Sequence, residues 1–437
     1  MGLKKYWIET FGCQMNKAES SALEISLKKA GWEPALKEIE ADLIILNTCS
    51  VRMTAEERLW GRIGRYKHLK KKYNFRLVIV GCMAERLKES IFKKAPVVDM
   101  VIGNFQKHNI ADICNILYNS NNTKQYIGEG HYQFFDNYQQ DGIKALIPVM
   151  HGCNNFCTYC IVPYVRGPEV SRPPENILNE IKELEKKNIK EITLIGQNVN
   201  AYFYKDKFNK FNFNDLLKMI LSKINKIEWV RFISSHPKYF SIKLIDLIKE
   251  HDAMCSHIHL PVQHGSDKIL KMMGRKYNVH DYLKLIYEIK KRISDVAITT
   301  DILIGFPGET EEDFKCMIKL LEEIRFDDAF LYKYNVREGT IASRLKDEVA
   351  EEVKRKRLSE VIELQRRISH EKKKNKIGKN VKVLIEDFSK KKKGELLGRT
   401  EQDEMVVFPG KSENIGEFTQ VKIMSLKGNT FWGKESK

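Results

Sequence analysis

Three cysteines in the middle of the sequence have a spacing that suits an iron–sulfur cluster. Cys153, Cys157 and Cys160 follow the pattern C-x3-C-x2-C, with a glycine before them and a glycine and a proline after them. The flanking residues predict a loop, in which three thiols can turn toward one centre. Three thiolates leave one metal atom of a cluster without a protein ligand. We therefore interpret these cysteines as ligands of an iron–sulfur cluster with one open iron.

Two other interpretations of this loop stay open. His151 could join the cysteines as the fourth ligand of a zinc knuckle, or Cys157 and Cys160 could form a redox pair. A zinc site usually uses a second pair of cysteines, whereas the nearest other cysteines, Cys114 and Cys255, are isolated. The cluster is therefore the favoured interpretation.

A second set of cysteines, Cys13, Cys49 and Cys82, is dispersed over the first part of the chain. Each follows a short apolar stretch and precedes a stretch with helical periodicity. Short apolar strands that alternate with helices predict a parallel, doubly wound sheet, whose strands all end at one edge. The fold should therefore bring these thiols together, and we expect a second three-thiolate cluster there. Cys114, Cys255 and Cys316 lack this context, and we expect them to be packing residues.

The rest of the chain predicts two further units. Six strand–helix repeats predict a partial (β/α)6 barrel, with the cysteine loop after its first strand. The predicted strands are 145–149, 191–195, 229–233, 258–260, 297–304 and 329–332. A charged helix and five short strands follow, with a turn at 390–393, and the strands predict a small β-barrel of the kind that binds RNA. The predicted domains are 1–120, a linker 121–143, the barrel 144–375 and the small barrel 376–437.

The composition of the chain indicates its compartment and the class of partner that it binds. The chain of 437 residues has a formal net charge of +17 and nine cysteines. It has no signal-peptide pattern and no apolar stretch long enough to span a membrane, so we expect a cytoplasmic protein whose thiols are ligands and not disulfides. The positive charge favours nucleic acid over a membrane as partner, although a solvated lysine-rich surface is the alternative.

The sequence around the cysteines resembles a known family. Residues 152–167, Gly-Cys-Asn-Asn-Phe-Cys-Thr-Tyr-Cys-Ile-Val-Pro-Tyr-Val-Arg-Gly, are similar to the cluster loop of radical S-adenosylmethionine (SAM) enzymes of the methylthiotransferase branch. Residues 10–16, 46–52 and 80–84 resemble the N-terminal domain of that branch, and the C-terminal segment resembles its RNA-binding TRAM domain. Two positions depart from the family pattern: His264 stands where Ser is common, and Glu338 where Pro is common.

The resemblance implies two [4Fe-4S] clusters and SAM as cofactors, with one SAM as methyl donor and a second as radical source. It assigns one cluster to Cys153, Cys157 and Cys160, and the other to Cys13, Cys49 and Cys82. Side chains in the loop, after the predicted barrel strands or, for Asp301, within the fifth strand are expected to contact SAM: Tyr159, Gln197, Asn198, Ser235, Gln263 and Asp301. A cap or turn role is about as plausible for any single one of these strand-end residues.

The resemblance is strongest to the tRNA enzymes that methylthiolate C2 of N6-isopentenyladenosine at position 37. It implies a monomeric transferase that binds the tRNA anticodon stem-loop and takes electrons from an external donor. Related enzymes that act on threonylcarbamoyladenosine in tRNA or on a ribosomal protein are alternatives. From other classes, a non-catalytic iron–sulfur RNA-binding or sensing protein and a zinc-stabilised RNA module also stay open.

Overall fold

The computed structural model describes residues 4–50, 53–120, 124–138, 142–346, 349–390, 392 and 394–436. They form a parallel sheet, two parallel three-stranded ladders with surrounding helices, and a closed five-stranded barrel, in that order along the chain. The predicted α/β fold class is therefore confirmed. No helix within these ranges is long and apolar enough to cross a membrane.

The N-terminal unit is a six-stranded parallel sheet with strand order β2-β1-β3-β4-β5-β6. Its central strands, β3 and β4, are almost wholly apolar because helices cover both faces of the sheet. The strands are β1 (Lys4–Thr10), β2 (Trp32–Pro34), β3 (Leu43–Thr48), β4 (Arg76–Gly81), β5 (Met100–Ile102) and β6 (Gln125–Ile127). The helices are α1 (Gln14–Lys29), α2 (Met53–Leu69), α3 (Cys82–Leu87), α4 (Ser90–Lys94) and α5 (Ile110–Asn119).

The segment predicted to be a linker is more ordered than its composition indicated. Residues 121–123 and 139–141 lie outside the described ranges, but β6 adds a strand to the sheet by pairing with β5. Phe135 and Tyr138 are buried beside that sheet. The polar residues of this segment predicted a loop, whereas its aromatic residues bury enough surface to order it.

The central unit has six parallel strands, arranged as β7-β10-β13 and β14-β15-β16. The strands and short pairs are β7 (Lys144–Pro148), β8 (Met150–His151), β9 (Val170–Ser171), β10 (Glu191–Ile195), β11 (Phe203–Lys205), β12 (Lys210–Asn212), β13 (Trp229–Phe232), β14 (His257–His259), β15 (Ala297–Ile304) and β16 (Asp328–Lys333). The helices are α6 (Val162–Arg166), α7 (Pro174–Lys186), α8 (Phe213–Leu221), α9 (Ile242–Glu250), α10 (Asp267–Met272), α11 (Val279–Arg292) and α12 (Glu311–Ile324). All six predicted strands are present, each within one or two residues of its expected position.

The last unit is a closed barrel that packs against the central one. Helix α13 (Glu351–Lys374) leads into it, and its strands are β17 (Asn380–Phe388), β18 (Glu395–Thr400), β19 (Met405–Pro409), β20 (Phe418–Lys427) and β21 (Thr430–Glu435). Arg231 of β13 donates to the carbonyl oxygens of Thr400 and Glu401, and Trp229 packs edge-on against Phe418 at 4.8 Å between ring centroids. The predicted turn at 390–393 includes residues 391 and 393, which lie outside the described ranges.

Candidate functional site

The sheet places Cys13, Cys49 and Cys82 after three neighbouring strand ends. Thr10 at the end of β1 pairs with Asn47, and Thr48 at the end of β3 pairs with Gly81. Cys49 directly follows β3, Cys82 begins α3, and Cys13 directly precedes α1. The dispersed cysteines therefore leave one edge of the sheet side by side, as the strand pattern predicted.

A glycine allows two of these cysteines to approach each other. Gly12 has a φ of +109°, and a Cβ atom built there would lie 2.2 Å from Cβ and 2.8 Å from Sγ of Cys49. Only glycine combines this backbone conformation with this contact. A hydrogen bond with the Cys49 thiol then lowers the pKa of Cys13 to about 6, with further help from the positive charge of Arg166 and against the effect of desolvation.

Two asparagine side chains contact cysteines of this first trio. The thiol of Cys13 faces Oδ1 of Asn16 at 3.7 Å, and the amide of Asn104 donates to Sγ of Cys82 at 3.6 Å. Asn104 also donates to the carbonyl oxygen of Val165 at 2.6 Å, and Val165 lies in the helix that follows the second trio. The two trios are therefore linked by a single side chain.

The second trio occupies the loop between β8 and α6. The amide of Asn155 donates to Sγ of Cys153 at 3.5 Å, and the guanidinium of Arg275 donates to Sγ of Cys157 at 3.5 Å. Burial raises the pKa of Cys160 to about 12, with the nearby Cys157 as a second cause, and raises the pKa of Cys153. In the chain without metal these two are neutral thiols, so cluster assembly must release their protons.

The described residues hold no preformed site for a single metal ion. Among them, no three His, Cys, Asp or Glu side chains converge closely enough to hold one metal ion. Cysteines that bind different irons of a cluster do not need that convergence. His151, the possible zinc ligand, instead stacks on Tyr132 and faces Arg166 with Nδ1 at 3.3 Å.

A fully buried ion cluster lies between the two trios. Arg166 of α6 donates to Glu19 of α1 at 2.7 Å and to Oδ1 of Asn16 at 2.9 Å, and Lys107 donates to Glu19 at 2.5 Å. The two cations hold the pKa of Glu19 at about 2 against desolvation, so the carboxylate is ionised. Burial holds the pKa of His151 well below its usual value, so this histidine adds no charge. The result is a net positive charge in the protein interior, which is costly unless a negative group lies nearby.

Two of the predicted SAM-contacting residues have buried polar atoms without a partner among the described residues. These atoms are Oδ1 of Asn198 and Oγ of Ser235, which follow β10 and β13 at the same end of the ladder. The neighbouring Gln197 is engaged differently, since its Oε1 accepts a hydrogen bond from the backbone N–H of Gly152 at 2.6 Å. Because buried polar atoms normally have partners, Asn198 and Ser235 fit a polar ligand at the barrel mouth, whereas Gln197 holds the cysteine loop.

The other three residues predicted to contact SAM already contact other parts of the protein. Tyr159 packs against an apolar cluster that includes Phe306 and Tyr334. Gln263 has a φ of +71° and its backbone joins that of β15, while Asp301 lies 3.6 Å from Nε2 of His259. The structure therefore shows intramolecular contacts for each of them, and their contact with SAM stays a prediction.

Three outcomes concern residues outside the proposed ligands. Cys114 and Cys255 are buried, as expected for packing residues, whereas Cys316 is exposed on α12, so its predicted packing role is wrong. A cysteine on the outer face of an amphipathic helix needs no buried partner. His264, one of the two departures from the family pattern, is buried and hydrogen-bonded to Glu309 at 3.2 Å.

The sequence did not indicate Arg275 or Lys107, and it gave Arg166 no role. Arg275 lies 118 positions from the cysteine it contacts, and Lys107 lies 88 positions from Glu19. Arg166 belongs to the quoted cluster-loop motif, and its burial could not be read from that motif. Neither Arg275 nor Lys107 belongs to a spacing pattern, so only the folded chain could reveal them.

Comparison with known families divides the chain in the same order as the structure. Residues 5–103 match the uncharacterized protein family UPF0004, residues 147–321 match the Radical SAM superfamily, and residues 374–433 match the TRAM domain.

Full-length relatives are found among curated proteins. The chain is 46% identical to the tRNA-2-methylthio-N(6)-dimethylallyladenosine synthase of Treponema denticola, over 98% of both chains. It is 42% identical to the synthase of the same name from Treponema pallidum, over 97% of both chains, and 43% identical to that of Clostridium botulinum, over 99% of this chain and 97% of the relative.

Solved structures of much lower identity share the fold. The radical S-adenosylmethionine methyltransferase TsrM from Kitasatospora setae is 12% identical with a TM-score of 0.60, over 78% of this chain and 74% of that chain. The cobalamin-dependent radical enzyme OxsB is 12% identical with a TM-score of 0.53, over 83% of this chain and 56% of that chain.

Proposed function

The chain belongs to the family of tRNA-2-methylthio-N(6)-dimethylallyladenosine synthases, and we propose that it adds a methylthio group to C2 of N6-isopentenyladenosine at position 37 of tRNA. Dimethylallyl and isopentenyl are two names for the same N6 substituent. The observation that supports this activity most directly is the meeting of two cysteine trios, one on the sheet edge and one on the barrel loop, through Asn104 and Arg166. Sulfur insertion requires that the two sites lie close together.

We infer that each trio holds one [4Fe-4S] cluster. Cys153, Cys157 and Cys160 would hold the cluster that binds SAM, and Cys13, Cys49 and Cys82 would hold an auxiliary cluster. When bound, these groups and two SAM molecules supply a methyl group, a sulfur atom and a radical that activates the C2–H bond.

The protein contributes orientation and charge. Arg275 and Asn155 place donors on Cys157 and Cys153, which stabilises their thiolate forms. Asn198 and Ser235 present unpaired polar atoms at the barrel mouth, where they would orient SAM. Tyr159, Gln197, Gln263 and Asp301 complete the proposed set around that mouth.

The proposed RNA surface combines the small barrel with one side of α13. Arg355, Lys356, Arg366 and Arg367 are exposed on this helix, whereas Lys354, Arg357 and Lys373 are buried against the protein. Because residues eleven apart share one face of a helix, Arg355 aligns with Arg366 and Lys356 aligns with Arg367. We propose that this stripe contacts the backbone of the anticodon stem-loop, that the enzyme acts as a monomer in the cytoplasm, and that an external donor supplies its electrons.

The direct test is an anaerobic reaction of the reconstituted protein with SAM, a chemical reductant and tRNA that carries N6-isopentenyladenosine. Mass spectrometry of the digested nucleosides should show 2-methylthio-N6-isopentenyladenosine. A parallel reaction with tRNA that carries threonylcarbamoyladenosine should give no methylthio product. Formation of 5′-deoxyadenosine without any modified nucleoside would contradict the proposed substrate, and zinc in place of iron in the purified protein would contradict both clusters.

A further inference from the structure

The ion cluster between the cysteine trios is formed by three buried charged side chains. Glu19, Lys107 and Arg166 are exposed by 2% or less. Each comes from a different element, namely α1, the turn that precedes α5, and α6. Two buried cations that share one carboxylate leave a positive charge, which is costly unless a further negative group lies nearby.

Arg166 connects the cysteine loop to helix α1. It lies six positions after Cys160, and its guanidinium reaches Glu19 and Asn16, which lie in the helix that follows Cys13. Its own short helix also packs on the first trio, because Ile161 and Val165 form an apolar cluster with Cys82. Any movement of the cysteine loop relative to the sheet would have to break these contacts.

The charges of this cluster do not cancel. Arg166 and Lys107 are positive and Glu19 is negative, which leaves one positive charge close to Cys13 and Cys82. A cluster held by three thiolates has a net negative charge that increases on reduction. A buried positive charge stabilises the reduced form more than the oxidised form, because the interaction is strong where water is excluded.

We propose that Arg166 is a positioning residue of the auxiliary iron–sulfur site, and that the Arg166–Glu19–Lys107 cluster sets the reduction potential of the group held by Cys13, Cys49 and Cys82. This inference rests on the proposed function, since it requires an auxiliary cluster at that trio. The role of Glu19 is to hold the guanidinium and to balance one of the two cations. Removal of a cation and removal of the anion must therefore change the potential in opposite directions.

The experiment measures the potential of the auxiliary cluster alone. Cys153, Cys157 and Cys160 are changed to alanine in the full chain, so that Cys13, Cys49 and Cys82 are the only proposed ligands left. After anaerobic reconstitution, the cluster is titrated with dithionite, which supplies the single electron that reduces it, and the reduced form is followed by electron paramagnetic resonance. Neither SAM nor tRNA is needed.

The chain with these three alanines is the parent for the further substitutions. Glu19→Gln should shift the midpoint potential of the auxiliary cluster to a more positive value than in this parent chain. Arg166→Gln should shift it to a more negative value, whereas Arg166→Lys, which keeps the charge, should stay close to the parent. Lys107→Gln should also shift it to a more negative value, and it provides the test if Arg166→Gln does not fold.

A matched control is Glu180→Gln, because Glu180 is another buried carboxylate with an arginine partner, Arg172. This control should leave the potential unchanged. The inference would be overturned if Glu19→Gln and the cation variants shifted the midpoint potential equally and in the same direction, or if none of them shifted it. The Arg166–Glu19–Lys107 cluster would then have a packing role only. A parent chain that binds no iron at Cys13, Cys49 and Cys82 would instead overturn the proposed function, and the inference with it.

Discussion

At the scale of single residues, the approach of Cys13 and Cys49 depends on the absence of a side chain at Gly12. In Gly12→Ala the new Cβ would lie 2.2 Å from Cβ of Cys49, in a backbone conformation that alanine rarely adopts. We expect the variant to lose about half of the iron of the reconstituted protein, that is ~4 iron atoms, because one of two clusters would be missing. Iron and sulfide analysis measures this loss.

The control for that variant is Gly31→Ala. Gly31 also has a positive φ, of +84°, but a Cβ there meets nothing within 4 Å. The control should keep its iron while it shares the backbone strain. Equal iron contents in the two variants would show that the contact with Cys49 does not limit the auxiliary site.

The burial of His257 should make the folded chain less stable in acid. Burial in β14, with the nearby Arg231 as second cause, lowers its pKa to about 3 in the folded chain, whereas the unfolded chain binds a proton below about pH 6.5. The folded state therefore loses stability as pH falls below about 6.5, by up to ~1.4 kcal/mol per pH unit from this residue. Above that pH both states are neutral and the residue has no effect.

His257→Gln should remove this contribution. We expect urea denaturation of the variant and the parent to differ by a constant amount above pH 7, and the difference to change in favour of the variant between pH 6 and pH 4.5. The exposed His68, changed to Gln, is the control and should follow the parent at every pH. If the curves of His257→Gln and the parent run parallel throughout, the histidine does not stay neutral in the fold.

Spacing indicated which cysteines belong together in the fold. The separation of Cys153, Cys157 and Cys160 predicted one loop, and the repeated strand–cysteine–helix order predicted that Cys13, Cys49 and Cys82 follow neighbouring strands, which they do. Their role as cluster ligands stays a prediction. The cations could not be assigned, because the burial of Arg166 and Arg275 is decided by partners that lie far away in the sequence. A charged side chain in a sequence is normally assumed to be solvated, and the fold overrides that assumption at these positions.

At the scale of elements, strands that belong to a repeated strand–helix pattern were predictable, whereas most of the short strands outside that pattern were not. The predicted strand at 297–304 coincides with β15, and the predicted strand at 191–195 coincides with β10. The missed strands β2, β5 and β6 have three residues each, which is too short for an alternating pattern to stand out. They widen the sheet at its edges, and the cysteines follow the central strands that the sequence did reveal.

One buried arginine contributes to the contact between the central unit and the small barrel. Arg231 donates to Glu191 at 3.0 Å and to the carbonyl oxygen of Thr400 at 2.8 Å. Arg231→Ala should destabilise the chain by about 3–5 kcal/mol, because it leaves the buried carboxylate of Glu191 unpaired. Chemical denaturation measures the loss, and limited proteolysis should show cleavage near residue 375 as the small barrel is released.

The double variant Arg231→Ala/Glu191→Gln separates the two causes. Without the unpaired carboxylate, part of the stability should return, while the protease sensitivity should persist because the contacts to the small barrel are still missing. Full additivity of the single-variant effects would mean that Arg231 and Glu191 do not act as a pair.

At the scale of the whole molecule, the net charge is +17, and four of the cations are exposed on α13. The four exposed cations of α13, Arg355, Lys356, Arg366 and Arg367, should make the affinity for tRNA depend steeply on salt. Their replacement by glutamine should reduce the slope of log K against log salt by up to ~3. Filter binding or fluorescence anisotropy over a series of salt concentrations measures this slope.

The matched control replaces four exposed lysines of the central unit that lie on α7, on α8 or in the turn after α8: Lys182, Lys186, Lys218 and Lys223. This change removes the same charge and should leave the slope near that of the parent chain. If both sets of substitutions reduce the slope equally, the affinity for tRNA depends on the total charge of the protein and not on the cations of α13.

In the proposed activity, sulfur insertion requires both cysteine trios, while SAM cleavage requires only the trio in the barrel loop. Cys13→Ala and the parent chain are therefore compared in one anaerobic reaction, in which 5′-deoxyadenosine and tRNA nucleosides are quantified together by mass spectrometry. We expect the variant to form 5′-deoxyadenosine but to leave N6-isopentenyladenosine unmodified. If the variant makes 2-methylthio-N6-isopentenyladenosine at the parent's rate, the proposed role of the first trio is wrong.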